Sequence, residues 1–438
     1  MIEKKQKKIS ENDITSPKGM RDILNAEYNA YQGFFERASE IALYYGFTPI
    51  ETPILEREAV FVSSLGVGTD IRDKEMYTLK TKGGDNLVMR PEGTAGVMRA
   101  YIEHGMQALS QPVMLYSYGP FFRHENPQRG RLRELRQFAL EVLGSPKSIM
   151  DALVIRVMVI ILEEAGIKNP TVEINSIGDK ECRGVYIRKL ITYYKKHTHL
   201  LCLHCIERMK TNPLRLLDCK NIQCQGIKQD APTTIDSLCD ECRHHFKEVV
   251  EYLEAMAISY RINNNLVRGL DYYTRTVFEI IQEATLEHEG TDEVIPLSLG
   301  GGGRYDYLAK SLGSKKDVPG VGGALGVDRI VMSSGHKVID PRIIKKPKIY
   351  FIQLGAEAKL KSFTIIEILR KARVSIAQSL SKDSLGQQLA IAERSGAPHT
   401  IIFGQREVQD NTVIIRNMGT RSQEIVTLEN LADFIKHL

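Results

Sequence analysis

The stretch Arg136–Val142, RQFALEV, alternates polar and apolar residues with the two-residue period of a strand. On that period Gln137, Ala139 and Glu141 share one face, and Phe138, Leu140 and Val142 share the other. The apolar face belongs to a core. The opposite face offers an amide and a carboxylate on either side of a small residue, which leaves room for a ligand above Ala139. Upstream, GPFFRHE puts Arg123 and Glu125 on one face by the same rule, so pairing the two strands would gather four polar groups on one surface. The connection, NPQRGRLREL, carries Arg129, Arg131 and Arg133. A basic loop beyond a polar sheet face suits phosphates, because guanidinium forks bind them bidentately and stay charged. A solvent-facing strand pair with ordinary polar residues would show the same local pattern, so other motifs must decide.

A second group lies at LVRGLDYYTRTVFE, Leu266–Glu279, which holds Arg268, Asp271, Tyr272, Tyr273 and Arg275. Tyrosines there can supply apolar walls and hydroxyl partners together. LGGGGRYD then places Gly300–Gly303 before Arg304, Tyr305 and Asp306, and glycines in such a run let a ligand or another backbone approach closely. PGVGGALGVDRI, Pro319–Ile330, reads as a glycine-rich turn entering a helix that carries Arg329. It nearly matches the dinucleotide fingerprint, but its last glycine comes one place late and no βαβ unit frames it. The P-loop pattern G-x-x-x-x-G-K-[ST] is missing from the chain. Any ATP must therefore be held by arginines and backbone.

The seven cysteines form a third group. Cys202 and Cys205 make one CxxC, Cys239 and Cys242 another, Cys219 and Cys224 lie between them, and Cys182 precedes them all. Paired CxxC units in a reducing compartment point to metal before disulfides. Four thiolates suit a tetrahedral structural zinc, with Cys202, Cys205, Cys239 and Cys242 as the expected ligands and Cys219 and Cys224 able to replace one pair. Reduced thiols in a small helical subdomain are the alternative.

The elements that must position these groups occupy a chain of 438 residues, enough for two or three domains. Apolar residues are 42% and charged residues 26%, a globular balance that leaves no run long enough to span a bilayer. Ala152–Leu162, interrupted by Arg156, reads as a buried helix instead. The start, MIEKKQKKISENDIT, is basic without an apolar stretch behind it, so residues 1–16 read as a solvated tail and a cytoplasmic location is expected. The net charge of +5 permits a polyanionic partner without demanding one. From Pro17 to Met332 the pattern mixes helix signals (Glu27–Tyr45) with strand signals (Leu115–Glu125, Arg136–Leu143) and an extended FTPIETPIL at Phe47–Leu55. That irregular alternation favours an antiparallel α+β domain. A charged, helical, cysteine-bearing insertion at 181–259 interrupts it. Residues 333–347, proline-punctuated and basic, suit a linker, and 348–438 alternates strands and helices as a small α/β domain with its own core.

Taken together, these stretches resemble class II aminoacyl-tRNA synthetases, and within that class the histidyl-tRNA synthetases, from PKGMRDI at Pro17 to the end of the chain. FTPIETPILE resembles motif 1, with Pro53 at its dimer-forming proline; FRHENPQRGRLRELRQFALEVLG resembles motif 2, and ALGVDRI motif 3. LVRGLDYYTRTVFE and LGGGGRYD resemble stretches particular to the histidine enzymes, and the last domain resembles an anticodon-binding domain. The resemblance implies ATP with Mg2+, L-histidine and tRNA(His) as substrates and partners, a homodimer, and no membrane association. It implies that Arg123 and Arg268 act catalytically at the α-phosphate, Arg268 standing where other enzymes of the class place a metal. Glu125 would hold adenine, Arg329 the γ-phosphate, and Arg131 would reach the ATP phosphates. Glu92, Thr94 and Gln137 would fix the histidine α-amino group. Glu141 and Tyr273 would bond the two imidazole nitrogens, with Tyr272 and Tyr305 completing that pocket. Gln128 fits the family pattern for contact with the tRNA acceptor end, whereas Asn126, Gly386 and Gln387 stand where basic residues are expected. The family does not generally require the cysteines, so zinc rests on their spacing alone. One rival is a non-catalytic regulatory paralogue serving histidine biosynthesis. The retained Arg123, Glu141, Arg268 and Arg329 and the last domain count against it. Glu141 with Tyr273 counts against a synthetase for threonine or proline.

Overall fold

The computed structural model describes residues 14–66, 69, 71–126, 130–288, 291–334, 341–342 and 345–438. The expected tail and linker therefore lie largely outside the described residues. The chain divides into two compact units, Met1–Asp340 and Pro341–Leu438.

In the first unit, α1 (Asn25–Tyr44) buries Ala30, Tyr31, Phe34, Ala38, Ile41 and Ala42, the stripe that helical spacing dictates. The extended stretch after it splits between two sheets. β1 (Thr48–Pro49) runs parallel to β5 (Val113–Phe122), whereas β2 (Leu55–Arg57) pairs with β4 (Asn86–Met89) in a small antiparallel sheet completed by β3 (Tyr77–Lys80). The helix α2 (Glu58–Ser64) follows β2, and α3 (Thr94–Glu103) precedes β5. β5 and β6 (Glu134–Leu143) form the expected hairpin, with Gly119 opposite Gln137, Ser117 opposite Ala139 and Leu115 opposite Glu141. Arg123 and Glu125 lie just beyond the end of β5, so they leave the sheet instead of facing it as strand residues.

The apolar run after the hairpin is α4 (Ser148–Glu164), whose Val154, Ile155, Val157, Met158, Ile161 and Leu162 are buried in the main core with Phe138, Leu140 and Val142. Next comes β7 (Thr171–Ser176). The insertion supplies α5 (Lys180–Lys196), α6 (Leu203–Thr211), α7 (Ile222–Gln229) and α8 (Asp240–Ala255) before β8 (Tyr260–Ile262) returns to pair with β7. The chain continues as β9 (Thr274–His288), β10 (Thr291–Arg304), α9 (Leu308–Ser311), β11 (Gly320–Gly326) and α10 (Val327–Ser333). The large sheet has the order β1-β5-β6-β11-β10-β9-β7-β8 and is antiparallel from β5 through β7.

The glycine-rich Gly320–Gly326 is thus a strand between β6 and β10, where a turn was expected. Its composition signals a turn, but Gly322 and Gly323 are paired with strands on both sides and the missing side-chain volume is taken by neighbours. A Cβ on Gly323 would meet the Met158 sulfur at 2.6 Å and the Phe278 ring at 2.9 Å.

The second unit is a five-stranded mixed sheet of order β13-β12-β14-β15-β16, built from β12 (Ile349–Gln353), β13 (Ile376–Gln378), β14 (His399–Phe403), β15 (Thr412–Asn417) and β16 (Gln423–Thr427). Four helices cover it: α11 (Ala356–Lys371), α12 (Leu385–Ser395), α13 (Gln405–Asp410) and α14 (Leu431–Lys436). Alternation along β12 sends Ile349 and Phe351 into one core with α11, α13 and α14, and Tyr350 and Ile352 into another beside α12. α11 ends at Lys371, and the chain then turns back into the sheet as β13.

Candidate functional site

Glu141 lies near the middle of the large sheet, 2% exposed. Its carboxylate accepts a bond of 2.6 Å from the Thr94 hydroxyl and another from the Tyr305 hydroxyl. Burial dominates its protonation and, with the like charge of Glu92, outweighs those two bonds, leaving the pKa pushed up to about 8. The space for it comes from β11: a Cβ on Gly322 would stand 1.7 Å from the Glu141 carboxylate oxygen. Along β6, the face shared by Gln137, Ala139 and Glu141 meets Gly326, Ala324 and Gly322 of β11. The β11 side of the polar face is therefore stripped of bulk.

Glu92 caps the start of α3, accepting from the backbone N–H of Thr94 at 2.7 Å and of Ala95 at 3.0 Å. The Tyr272 hydroxyl donates to it at 3.2 Å. Burial again pushes this carboxyl up, against the pull of those bonds. Tyr272 touches Tyr273 with ring centroids 4.7 Å apart and Tyr305 at 5.9 Å edge-on, so three tyrosines wall one side of the Glu92–Glu141 pair. Burial raises the pKa of all three hydroxyls, which keeps them as hydrogen-bond donors.

Arg268 leads away from this pocket. Its guanidinium is 5.9 Å from the Tyr273 ring centre and 4.0 Å from Glu279, and a Cβ on Gly301 would collide with it at 2.7 Å. On the hairpin side, Arg123 donates to the Pro91 carbonyl at 2.9 Å, and its backbone N–H extends the β5–β6 ladder to Arg133. Glu125 lies 3.7 Å from the exposed Arg131. Arg329 is anchored by the carbonyls of Gly130 and Ser298 at 2.9 and 2.8 Å. Burial, with the positive Arg131 and Arg123, lowers its pKa against the opposing pull of Glu125 and Glu279. Gln137 is half-buried on the same face as Glu141. Gln128 falls outside the described residues.

The expected residues thus form two connected groups: a buried pocket of Glu92, Thr94, Glu141, Tyr272, Tyr273 and Tyr305, and a partly open arginine cluster of Arg123, Arg131, Arg268 and Arg329. Sequence reasoning missed three supporting residues. Arg90 ties β4 to β5 through the Pro120 carbonyl, bonds Thr52, and lies over Phe121. Arg183, on α5, donates to the Tyr273 carbonyl. Asp328, on α10, accepts from Tyr31 and from the backbone of Arg136. Arg90 stands directly before Pro91 and Glu92, so its neighbours were a usable signal; no local spacing betrays the other two.

The cysteines correct an expectation. Cys202 and Cys205 do not meet Cys239 and Cys242. Cys202, Cys205, Cys219 and Cys224 bring their sulfurs within 4.8 Å of one another, and Cys239 and Cys242 instead meet Cys182 and Asp179 within the same distance. The two CxxC knuckles open different helices, α6 and α8, and tertiary structure gives each a different partner segment.

Residues 19–178 match the family model described as histidyl-tRNA synthetase, and 348–438 match that of the anticodon binding domain. The chain is 40% identical to the histidine–tRNA ligase of Desulforamulus reducens over 422 residues, covering 96% of this chain and 99% of that one. It is also 40% identical to the histidine–tRNA ligase of a Dehalococcoides mccartyi strain over 421 residues, with the same coverage. Among solved structures, apo histidyl-tRNA synthetase from S. aureus superposes with a TM-score of 0.79 at 30% identity, covering 97% of this chain and all of that one. With relatives this similar along nearly its whole length, and with the arginine cluster and buried polar pocket in place, the chain belongs to the histidyl-tRNA synthetase family.

Proposed function

We propose that the chain activates L-histidine with ATP and transfers it to the 3′ end of tRNA(His), and that the pocket around Glu141 selects the amino acid. The observation that carries this reading is Glu141 itself: a buried carboxyl, held by Thr94 and Tyr305 and walled by tyrosines, at the foot of an arginine cluster. Such a group suits a ligand with a ring N–H to share. Glu141 and Tyr273 take the two imidazole nitrogens. Glu92, Thr94 and Gln137 take the α-amino group, since a carboxylate with two backbone donors still has lone pairs to offer. An apolar side chain would leave these buried polar groups unpaired, at a cost of about 1–3 kcal/mol each.

The chemistry needs no covalent enzyme intermediate. The histidine carboxylate attacks the α-phosphorus in line and diphosphate leaves, so catalysis is positioning plus charge stabilisation. Arg123 and Arg268 neutralise the growing charge on the α-phosphoryl oxygens. Arg131 and Arg329 hold the outer phosphates and Glu125 the adenine end, while Mg2+ accompanies ATP and screens its phosphates. The terminal ribose hydroxyl of the tRNA then attacks the adenylate and releases AMP, with Gln128 near the acceptor end. Residues 17–332 carry this chemistry, and 348–438 read the anticodon. A homodimer in the cytoplasm completes the proposal; exposed Pro53, Ile54 and Leu55 support a pairing surface at the motif 1 stretch. Structural zinc in the insertion fits the clustered thiols.

The test is amino-acid-dependent ATP–diphosphate exchange with each of the twenty amino acids. Histidine should drive it far above the others. Equal or greater exchange with another amino acid would overturn the assignment.

A further inference from the structure

All seven cysteines are free, and each falls into one of two groups. In the first, Cys202 and Cys219 have sulfurs 3.9 Å apart, and the Cys224 sulfur accepts the backbone N–H of Cys202 at 3.3 Å. In the second, Cys182 and Cys239 are also 3.9 Å apart, and the Asp179 carboxylate reaches the sulfurs of Cys182, Cys242 and Cys239 at 3.1, 3.2 and 3.8 Å. A disulfide needs about 2.0 Å. A tetrahedron around zinc with Zn–S near 2.3 Å has edges of about 3.8 Å. In each group one S–S pair has the second spacing, and all four ligand atoms lie within 4.8 Å of one another.

The local construction is the same in both. Cys202, Asp179 and Cys239 each occupy the N-cap of a helix (α6, α5 and α8), and Cys205, Cys182 and Cys242 each stand three residues further on. Each knuckle then meets a partner segment: Cys219 with Cys224 in the first, and the two knuckles of α5 and α8, 57 residues apart in sequence, in the second. Helix N-termini favour negative thiolates and carboxylates. We propose that the insertion holds two zinc ions in separate sites, one ligated by Cys202, Cys205, Cys219 and Cys224, and the other by Asp179, Cys182, Cys239 and Cys242.

The two sites differ in what they tie down. The first lies within the insertion's own core, with Tyr186, Leu190, Tyr194 and Leu216. The second ties the point where the insertion leaves the sheet after β7 to the start of its last helix, α8. Asp179 follows β7 by three residues, and Arg275, at the start of β9, is 2.6 Å from Glu241 and 3.9 Å from Asp179. From the same helix as Cys182, Arg183 grips the Tyr273 carbonyl. The second ion therefore helps position the loop that carries Tyr272 and Tyr273 through Arg183, while the first braces the same loop only through Asn212, which donates to Asp271 at 2.8 and 3.0 Å.

The experiment is a metal titration of the full-length protein purified under reducing conditions. Reacting its thiols with a mercurial should release about two zinc per chain, read with a chromogenic chelator and confirmed by elemental analysis. Asp179→Asn or Cys239→Ser should each leave about one, Cys219→Ser likewise, and the Cys219→Ser/Cys239→Ser pair essentially none. About one zinc or less in the unaltered protein, or loss of both ions from a single-substitution variant that still catalyses histidine-dependent exchange, would overturn the two-site assignment. Since the unaltered protein gives the first reading, a variant that fails to fold does not block the test. Asp179→Asn should also raise KM for histidine by about tenfold without changing KM for ATP; no change in Asp179→Asn would remove the link to the tyrosine loop. Retained histidine-dependent exchange in the unaltered protein separates a failure of this proposal from a failure of the proposed function.

Discussion

Glu141 is costly to keep ionised where it stands. Burial pushes its pKa up to about 8, and the bonds from Thr94 and Tyr305 only partly counter that. Near neutral pH the free protein therefore holds a proton there. An imidazole N–H donated to this group favours the charged form and lowers its pKa in the complex, so binding expels a proton between that lower value and about 8. Affinity for histidine should rise with pH from about 6.5, above which free imidazole is neutral, at up to roughly tenfold per unit, and level off near 8. Calorimetry at neutral pH in two buffers of different ionisation enthalpy reads the released proton directly; identical heats would refute the linkage. A second residue-scale prediction concerns the floor of the pocket. Gly322→Ala puts a carbon 1.7 Å from the Glu141 carboxylate and 2.6 Å from the Leu140 carbonyl, so both must move. Displacing a binding group by about 1 Å typically costs about 10²-fold. The kcat/KM for histidine in diphosphate exchange should fall by at least that factor, while KM for ATP stays within a few-fold. Of this pocket, the β6 face was legible, because period two alone separates Gln137, Ala139 and Glu141 from the apolar residues between them. Its completion was not. Thr94 and Tyr305 are 47 and 164 residues away in sequence from Glu141, and no local pattern brings them to it.

At the scale of elements, Arg304 is the hinge pin. It ends β10 with no exposed surface, and its guanidinium meets Asp151 on α4 at 2.6 Å and Asp306 at 2.9 Å. His245 on α8 reaches the same Asp151 at 3.2 Å. One buried carboxylate thus joins the central sheet, the core helix and the last helix of the insertion. Burial alone would raise the pKa of Asp151, but the Arg304 charge and the His245 contact outweigh it and hold it at about 2. Asp151→Asn leaves Arg304 with Asp306 as its carboxylate partner, and breaking such a pair costs about 3–5 kcal/mol. Denaturant unfolding at pH 7 should show that loss. The folded pKa lies below the unfolded one, so the contribution is present above about pH 4 and disappears as pH falls toward 2. The deficit of the variant should shrink over that window; a deficit independent of pH would mean lost packing is the cause. Element types were largely readable from periodicity, as α1 and α4 show, and the α+β class follows from them. β11 was not, because glycine composition signals a turn wherever the neighbours that fill the space are unknown. The cysteines failed for the same reason: CxxC spacing marks a knuckle but cannot tell which distant knuckle faces it.

At the scale of the molecule, each unit has its own core. Alternation along β12 splits the second unit into two apolar layers, and the pocket and arginine cluster belong wholly to the first unit. Activation of histidine needs the amino acid and ATP, both small, and in the proposed function the residues that hold them all lie before Ser333. Charging needs a macromolecule, which in the proposed function the first unit grips at the acceptor end and the second at the anticodon. Two linked contacts bind tighter than either alone, because the second becomes intramolecular, a gain of about 10²–10⁴. A chain shortened to residues 1–340 should therefore keep histidine-dependent diphosphate exchange within a few-fold. Its kcat/KM for tRNA(His) charging should fall by about 10²–10⁴, chiefly through KM. Adding 341–438 as a separate protein should not restore it, since the linkage supplies the gain. Parallel steady-state assays of exchange and charging on the two chain lengths decide the matter. An equal fall in both would show that the first unit depends on the second for its fold, and an unchanged charging rate would show that the second contributes nothing to tRNA binding.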